Sequence, residues 1–229
     1  MDYSESQMTY KIKFIMLGNS GVGKTSITHL VENPEKDFIS VEPTLGYEFI
    51  SKVYQCESDL VQVHLWDTAG QDKYANMSNQ YFKRAAGALI VFDITSKKSF
   101  EGCKEWYSYL KDSGEDSVEI LLIGNKVDLE EEREVSTKEA QEFARQNSFP
   151  YIETSVLMNK NIQEGFQILL NKIITKLKKL EHKSANSSTQ HYTSFGLQRE
   201  AYNSSIVLRK RAELLTSRDK SMESKSCKC

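Results

Sequence analysis

Apolar and polar positions alternate between two rhythms from Tyr10 to about Leu180. Tyr10–Leu17 is β-branched and apolar, with lysines only in its first half, which predicts a strand. Ser26–Val31 reads as a helix stopped near Asn33-Pro34. Tyr47–Gln55 and Val61–Trp66 are strand-like and joined by the polar turn Cys56–Asp59, a spacing tight enough only for an antiparallel pair. Gln71–Arg84 is mixed and expected to be helical in part. Ala88–Phe92 and Ile120–Ile123 are continuous apolar runs, as in strands buried on both faces of a parallel sheet. Between them, Lys97–Ser113 places Phe100, Cys103, Trp106, Tyr107 and Leu110 on one helical side. Thr137–Asn147 predicts a helix with Ala140, Phe143 and Ala144 inward, and Tyr151–Thr154 a short strand. Ile162–Leu180 is a long amphipathic helix with Ile162, Phe166, Leu169, Leu170, Ile173, Ile174 and Leu177 on its apolar face. Strands alternating with helices predict an α/β fold with a mainly parallel sheet, whose ligands bind at the carboxyl ends of the strands.

Composition sets limits around this pattern. The chain has 229 residues, 39% of them hydrophobic, enough for a substantial core. No run approaches the roughly 18–20 apolar residues of a transmembrane helix. Met1-Asp2-Tyr3-Ser4-Glu5 is acidic and polar, unlike a secretory signal, so the chain is expected in the cytosol. Four cysteines, two of them at the extreme end, form neither a disulfide framework nor a zinc spacing. Residues 1–9 have the character of a disordered start. Beyond Leu180 the periodicity breaks, and Ser184–Gln190 has a linker composition. Residues 181–229 hold nine Lys/Arg against five Asp/Glu, while the whole chain carries a net charge of −2. A mildly basic tail on an acidic body suggests an anionic surface as its partner, a merely solvated tail being the other reading; no nucleic-acid partner is expected. Ser205–Leu215, with Arg209, Lys210 and Arg211, suits a transient helix.

The chemistry concentrates at predicted strand ends. Gly18-Asn19-Ser20-Gly21-Val22-Gly23-Lys24-Thr25 satisfies G-x-x-x-x-G-K-S/T between a strand and a helix. Glycines let successive backbone N–H groups curl around phosphate oxygens, and the following helix adds the positive end of its dipole. The phosphate-binding set is Ser20, Gly21, Val22, Gly23, Lys24, Thr25 and Ser26, with Lys24 reaching the β- and γ-phosphates and the Thr25 hydroxyl a Mg²⁺ ligand. The bland alternative is a glycine-rich turn with a chance Lys-Thr. Trp66-Asp67-Thr68-Ala69-Gly70-Gln71 follows a strand. Asp67 there can hold Mg²⁺ through water, Gly70 can bring its N–H to a γ-phosphate, and Gln71 can orient an attacking water. The competing reading is a capping Asp followed by a glycine turn.

Asn125-Lys126-Val127-Asp128 comes one strand–helix unit later. The Asp128 carboxylate can accept two N–H bonds from guanine, a donor pair that adenine lacks. Ser155 and Val156, in Glu153-Thr154-Ser155-Val156, follow the last strand, where backbone N–H groups can meet the base. Thr44 precedes the second strand and suits a Mg²⁺ and phosphate ligand that is released when a γ-phosphate leaves. Alone, it is an ordinary strand-entry threonine. Phe38 is a candidate for packing near the base, core or surface packing being the other reading.

In this order the motifs make the chain similar to the Ras-like small GTPases over residues 10–180, and within them it resembles the Rab family. The Rab-like pieces are Leu45-Gly46-Tyr47-Glu48-Phe49, Trp66–Gln71, Tyr81-Phe82-Lys83-Arg84-Ala85 and Ile90-Val91-Phe92-Asp93-Ile94-Thr95. Too few residues separate Asp128 from Thr137 for the extra helix of a Rho protein. The resemblance implies a P-loop NTPase fold with a mainly parallel six-stranded sheet, one antiparallel edge strand and helices on both faces. It implies a domain over residues 10–180 and a flexible tail over 181–229. It also implies a GTP/GDP switch in vesicle-mediated trafficking, with Gln71 and Lys24 as the catalytic pair and Asn125, Lys126 and Asp128 at the guanine. Effectors would read the Thr44 and Gly70–Ser78 regions. An activating protein, an exchange factor, a dissociation inhibitor and a prenylation escort are the implied regulators. No arginine here is plainly aimed at the γ-phosphate, and a partner-supplied one contributes ~10³–10⁵ in rate. Turnover without a partner is therefore expected to be slow.

The ending Cys227-Lys228-Cys229 is similar to the Rab ending that takes two geranylgeranyl groups, and differs from C-a-a-X. Two chains anchor stably where one is marginal. The expected location is the cytoplasmic face of an intracellular membrane, with a cytosolic pool. Three places depart from the family pattern: Val156 stands where alanine is usual, Lys24–Thr44 is about one residue long, and Asp72-Lys73-Tyr74 replaces Glu-Arg-Phe. A GTP-locked scaffold that hardly hydrolyses is the alternative function, disfavoured by Gln71. A P-loop phosphotransferase would need a lid and an acceptor site, and neither is visible.

Overall fold

A computed structural model describes residues 9–35, 47–56, 59–68, 81–112 and 117–185. Six strands form one sheet: β1 (Tyr10–Leu17), β2 (Tyr47–Cys56), β3 (Asp59–Thr68), β4 (Ala85–Asp93), β5 (Glu119–Asn125) and β6 (Tyr151–Glu153). Their spatial order is β2-β3-β1-β4-β5-β6. All neighbours are parallel except β2 and β3, which run antiparallel from Tyr47↔Thr68 to Cys56↔Asp59. The expected sheet, with its antiparallel edge strand, is therefore present. Chain connection passes from β1 outward to β2 and returns through β3, then crosses to β4 on the other side of β1. The order reverses at β1, and the carboxyl end of that strand is where an open α/β sheet leaves a crevice.

Alternation along β1 builds two cores. Ile12, Phe14 and Met16 face one layer, made by α1 (Lys24–Glu32) and α4 (Ile162–Ala185). Ile15 and Leu17 face the other, made by α2 (Lys97–Asp112) and α3 (Thr137–Gln146). Every residue of β4 is buried, as its unbroken apolar run predicted. All seven apolar positions assigned to α4 are buried, with Phe166 against Phe14 and stacked on Tyr54. The α3 start is fixed locally: the Ser136 Oγ accepts the Glu139 N–H at 3.2 Å.

Some boundaries differ from the sequence reading. Helix α1 begins at Lys24, two residues early, because Gly23 takes a left-handed φ of 101° and turns the chain directly into the helix. Strands β3 and β5 reach Thr68 and Asn125, so Asp67 and Asn125 lie within strands. A 3-10 turn occupies Val127–Glu132, where no helix was expected. Helix α4 continues to Ala185, past its last apolar position, through residues that offer no breaker. Tyr81–Arg84 forms a turn; the rest of the Gln71–Arg84 segment lies outside the described residues, as does Ser205–Leu215.

Candidate functional site

The loop after β1 is moulded by close backbone approach. Gly18, at φ 140°, lies so near β4 that a Cβ would sit 2.2 Å from the Val91 carbonyl oxygen. A Cβ on Gly23 would meet the Asn125 amide at 2.3 Å, whereas one on Gly21 would meet nothing. The first and last of these glycines thus answer to neighbouring strands as well as to turn geometry. Lys24, 4% exposed, donates from Nζ to the carbonyls of Gly18 and Asn19, both at 2.9 Å. Burial lowers its pKa from 10.5 to about 8, and Asp67 offsets part of that shift.

Thr25 and Asp67 meet across α1 and β3. The Thr25 hydroxyl donates to Asp67 Oδ2 at 2.5 Å, and Asp67 is fully buried. Its Oδ1 is buried without a hydrogen-bond partner. Burial raises the Asp67 pKa, while Thr25 and Lys24 pull it the other way. An orphaned carboxylate oxygen beside a hydroxyl and an ammonium is a poor arrangement by itself, because an unpaired buried acceptor is costly. It fits a hard cation. Among the described residues no three His, Cys, Asp or Glu side chains converge on a metal. Mg²⁺ keeps waters and takes one or two carboxylates with phosphate oxygens, so Asp67 with the Thr25 hydroxyl could hold it.

The second half of the site hangs on Asn125, 1% exposed. Its Nδ2 donates to the Val22 carbonyl at 2.9 Å, and its Oδ1 accepts from Thr154 Oγ1 at 3.0 Å. Asn125 therefore ties the phosphate loop to the segment after β6. The Ser155 hydroxyl donates to Asp128 Oδ1 at 2.5 Å and fixes that carboxylate. Lys126, in left-handed backbone at φ 70°, pairs with Asp93 Oδ2 at 2.5 Å at the end of β4. Beneath them Glu153 accepts from Arg133, Thr137 and Tyr151, and these bonds hold its carboxyl below the usual range against the opposing effect of burial.

Two further contacts lie beside these. The Ser155 N–H donates to the Lys160 carbonyl at 3.2 Å, while its hydroxyl donates to Asp128. Val156 is 7% exposed and packs into the core under α1 and α4, so its extra methyls are absorbed there. Gly70, Gln71, Thr44, Phe38, the Gly70–Ser78 surface, Cys227 and Cys229 lie outside the described residues. Ser20, Gly21, Val22 and Ser26 occupy the loop and first helical turn as expected.

One surface was missed. Phe49, 48% exposed, stands edge-on to Trp66 at 5.5 Å, and Trp66 stands edge-on to Tyr81 at 6.4 Å. Lys13 Nζ lies 4.6 Å from the Trp66 ring centroid. Phe49 and Trp66 are direct cross-strand partners, so the available signal was the register of the predicted hairpin.

The Ras family model matches residues 13–175. Ras-related protein Rab-11A of Dictyostelium discoideum is 33% identical over 186 residues, covering 81% of this chain and 86% of that protein. GTP-binding protein ypt3 of Schizosaccharomyces pombe is 38% identical over 170 residues, 74% of this chain and 78% of its own. Ras-related protein Rab-4A of Homo sapiens is 36% identical over 169 residues, 73% and 77% of the two chains.

Proposed function

The chain belongs to the Ras family of small GTPases, on its Rab branch, and we propose that it is a GTP-operated switch whose nucleotide lies along Gly18–Ser26, Asp67 and Asn125–Asp128. It is a GTP hydrolase, as members of this family are. The observation that carries the site assignment is Asp67: a fully buried carboxylate, one oxygen on Thr25 and the other unpaired, next to Lys24.

In this reading the loop N–H groups and Lys24 hold the phosphates, while Thr25 and Asp67 hold Mg²⁺. Held there, Mg²⁺ would supply positive charge to offset that of the phosphates. Thr44 and Gly70 sense the γ-phosphate, and Gln71 orients the attacking water. Asp128, held by Ser155, reads guanine; Lys126 and Val156 flank that pocket. Loss of the γ-phosphate releases the segments around Thr44 and Gly70–Ser78, and effectors distinguish the two states there. Exposed Phe49, edge-on to the half-buried Trp66 that in turn meets Tyr81, offers apolar area for such a partner. An activating protein, an exchange factor, a dissociation inhibitor and a prenylation escort act on this cycle. Geranylgeranyl groups on Cys227 and Cys229 anchor the protein to the cytoplasmic face of an intracellular membrane for vesicle traffic, with a cytosolic pool. Residues 10–180 carry the switch and 181–229 the tether.

Purified protein is expected to bind fluorescent GDP only with Mg²⁺ supplied, and to release phosphate from GTP slowly in a single turnover. Gln71→Leu is expected to abolish that release while leaving GDP binding intact. GDP binding with no phosphate release, even in the presence of activating proteins, would favour the locked scaffold. Absence of guanine-nucleotide binding would sink the site assignment.

A further inference from the structure

The phosphate loop is pressed by three elements. Val91 on β4 and Asn125 on β5 crowd Gly18 and Gly23. The third contact comes from α2, a helix that no motif includes. Trp106 Nε1 donates to Asn19 Oδ1 at 3.1 Å. One turn earlier, Gly102 faces the same amide: a Cβ there would lie 2.5 Å from Oδ1 and 2.8 Å from Nδ2. Trp106 is 3% exposed and sits in the core beneath α2 and α3. A buried indole N–H needs an acceptor, and this one finds it in the loop. The main chain of the same Asn19 supplies one of the two carbonyls that receive Lys24 Nζ. Asn19 is thus fixed through its side chain by α2 and holds the ammonium through its backbone.

We propose that Trp106 is a positioning residue for nucleotide binding: its indole N–H, acting in the space left by Gly102, pins Asn19 and so presets the loop and Lys24. The inference rests on the reading that Gly18–Thr25 grips nucleotide phosphates. A loop ordered before the ligand arrives loses less conformational freedom on binding, so the gain appears as slower release. Packing alone would predict something different. A tryptophan that only filled the core would affect stability, and its effect would not depend on the side chain at position 19.

The test uses the full chain loaded with fluorescent GDP and Mg²⁺, chased with excess unlabelled GDP. Trp106→Phe keeps an aromatic ring and removes the N–H; Asn19→Ala removes the acceptor. Each is expected to speed dissociation about five-fold, the net worth of one neutral hydrogen bond. The double variant is expected to stay near about five-fold, whereas independent effects would multiply to about twenty-five-fold. The Trp106 indole N–H proton resonance, assigned by its loss in Trp106→Phe, should move upfield in Asn19→Ala and exchange faster with solvent. If Trp106→Phe fails to fold, the Asn19→Ala rate and that resonance decide the question. An unchanged rate or resonance in Asn19→Ala, or multiplying effects, overturns the proposal and leaves the phosphate reading standing. Wild-type protein that never takes up GDP overturns both.

Discussion

Lys24 shows how one side chain is tuned by where the chain puts it. Burial lowers its pKa to about 8, and the phosphate oxygens of the proposed nucleotide would push it back up. In the nucleotide-free protein the folded state therefore binds fewer protons than the unfolded state between about pH 8 and 10.5. The resulting penalty to folding is fully present below pH 8 and is relieved as pH rises through that window. Nucleotide binding has the opposite slope, because it takes up a proton wherever the empty site holds neutral lysine. Affinity for GDP, from this group, should be flat below about pH 8 and fall by up to tenfold per unit above it. Equilibrium titrations with fluorescent GDP from pH 6.5 to 9.5 check this; a slope of the opposite sign would contradict it. In the proposed function Asp128 is the corresponding residue for the base. Asp128→Asn exchanges a two-bond acceptor for a donor and an acceptor, and should weaken GTP by at least ~100-fold while favouring xanthine nucleotides. Competition binding with the two triphosphates measures the preference.

At the level of elements, each helix carries its own anchoring logic. Helix α4 covers the α1 side of the sheet through Phe166, whose ring lies 5.0 Å from Phe14 and 5.3 Å from Tyr54. Phe166→Ala should destabilise the protein by about 3–5 kcal/mol, the usual cost of emptying a buried aromatic site. Denaturant unfolding at a fixed excess of GDP checks it, since bound nucleotide shifts apparent stability by mass action. Helix α1 acts differently. It starts at Lys24 because Gly23 is left-handed, and this puts Thr25 in its first turn, within reach of Asp67. The predicted start at Ser26 missed this because periodicity sees only the apolar face, whose first member is Ile27. The 3-10 turn at Val127–Glu132 escaped for a related reason: it has no buried residue to leave a pattern.

For the whole molecule, the described helix α4 runs to Ala185, and the two terminal cysteines follow in sequence after a basic tail. Each buried methylene contributes about 0.8 kcal/mol to membrane attachment, so two lipid chains anchor where one dissociates. Changing both Cys227 and Cys229 to Ser should shift the cellular protein from the membrane pellet to the soluble fraction. Either single change should give an intermediate distribution. Fractionation of tagged variants reads this directly, and unchanged pelleting of the double variant would rule out lipid anchoring at these thiols.

Much of this protein was legible in the chain before folding was considered. Strand and helix order, the antiparallel hairpin, the seven buried positions of α4 and the phosphate loop are local patterns, set by side-chain periodicity and by where glycine is tolerated. Tertiary structure alone decided which groups meet. Asn125 could be read from its motif as a base contact; that its amide also bridges the Val22 carbonyl and the Thr154 hydroxyl could not. The Ser155 hydroxyl is bonded to Asp128, Val156 packs into the core, and the Trp106 indole reaches Asn19 across 87 positions of sequence. A hydrogen bond between distant segments leaves no periodicity in either one. It exists only once the sheet has brought β1, β4, β5 and α2 to a common edge.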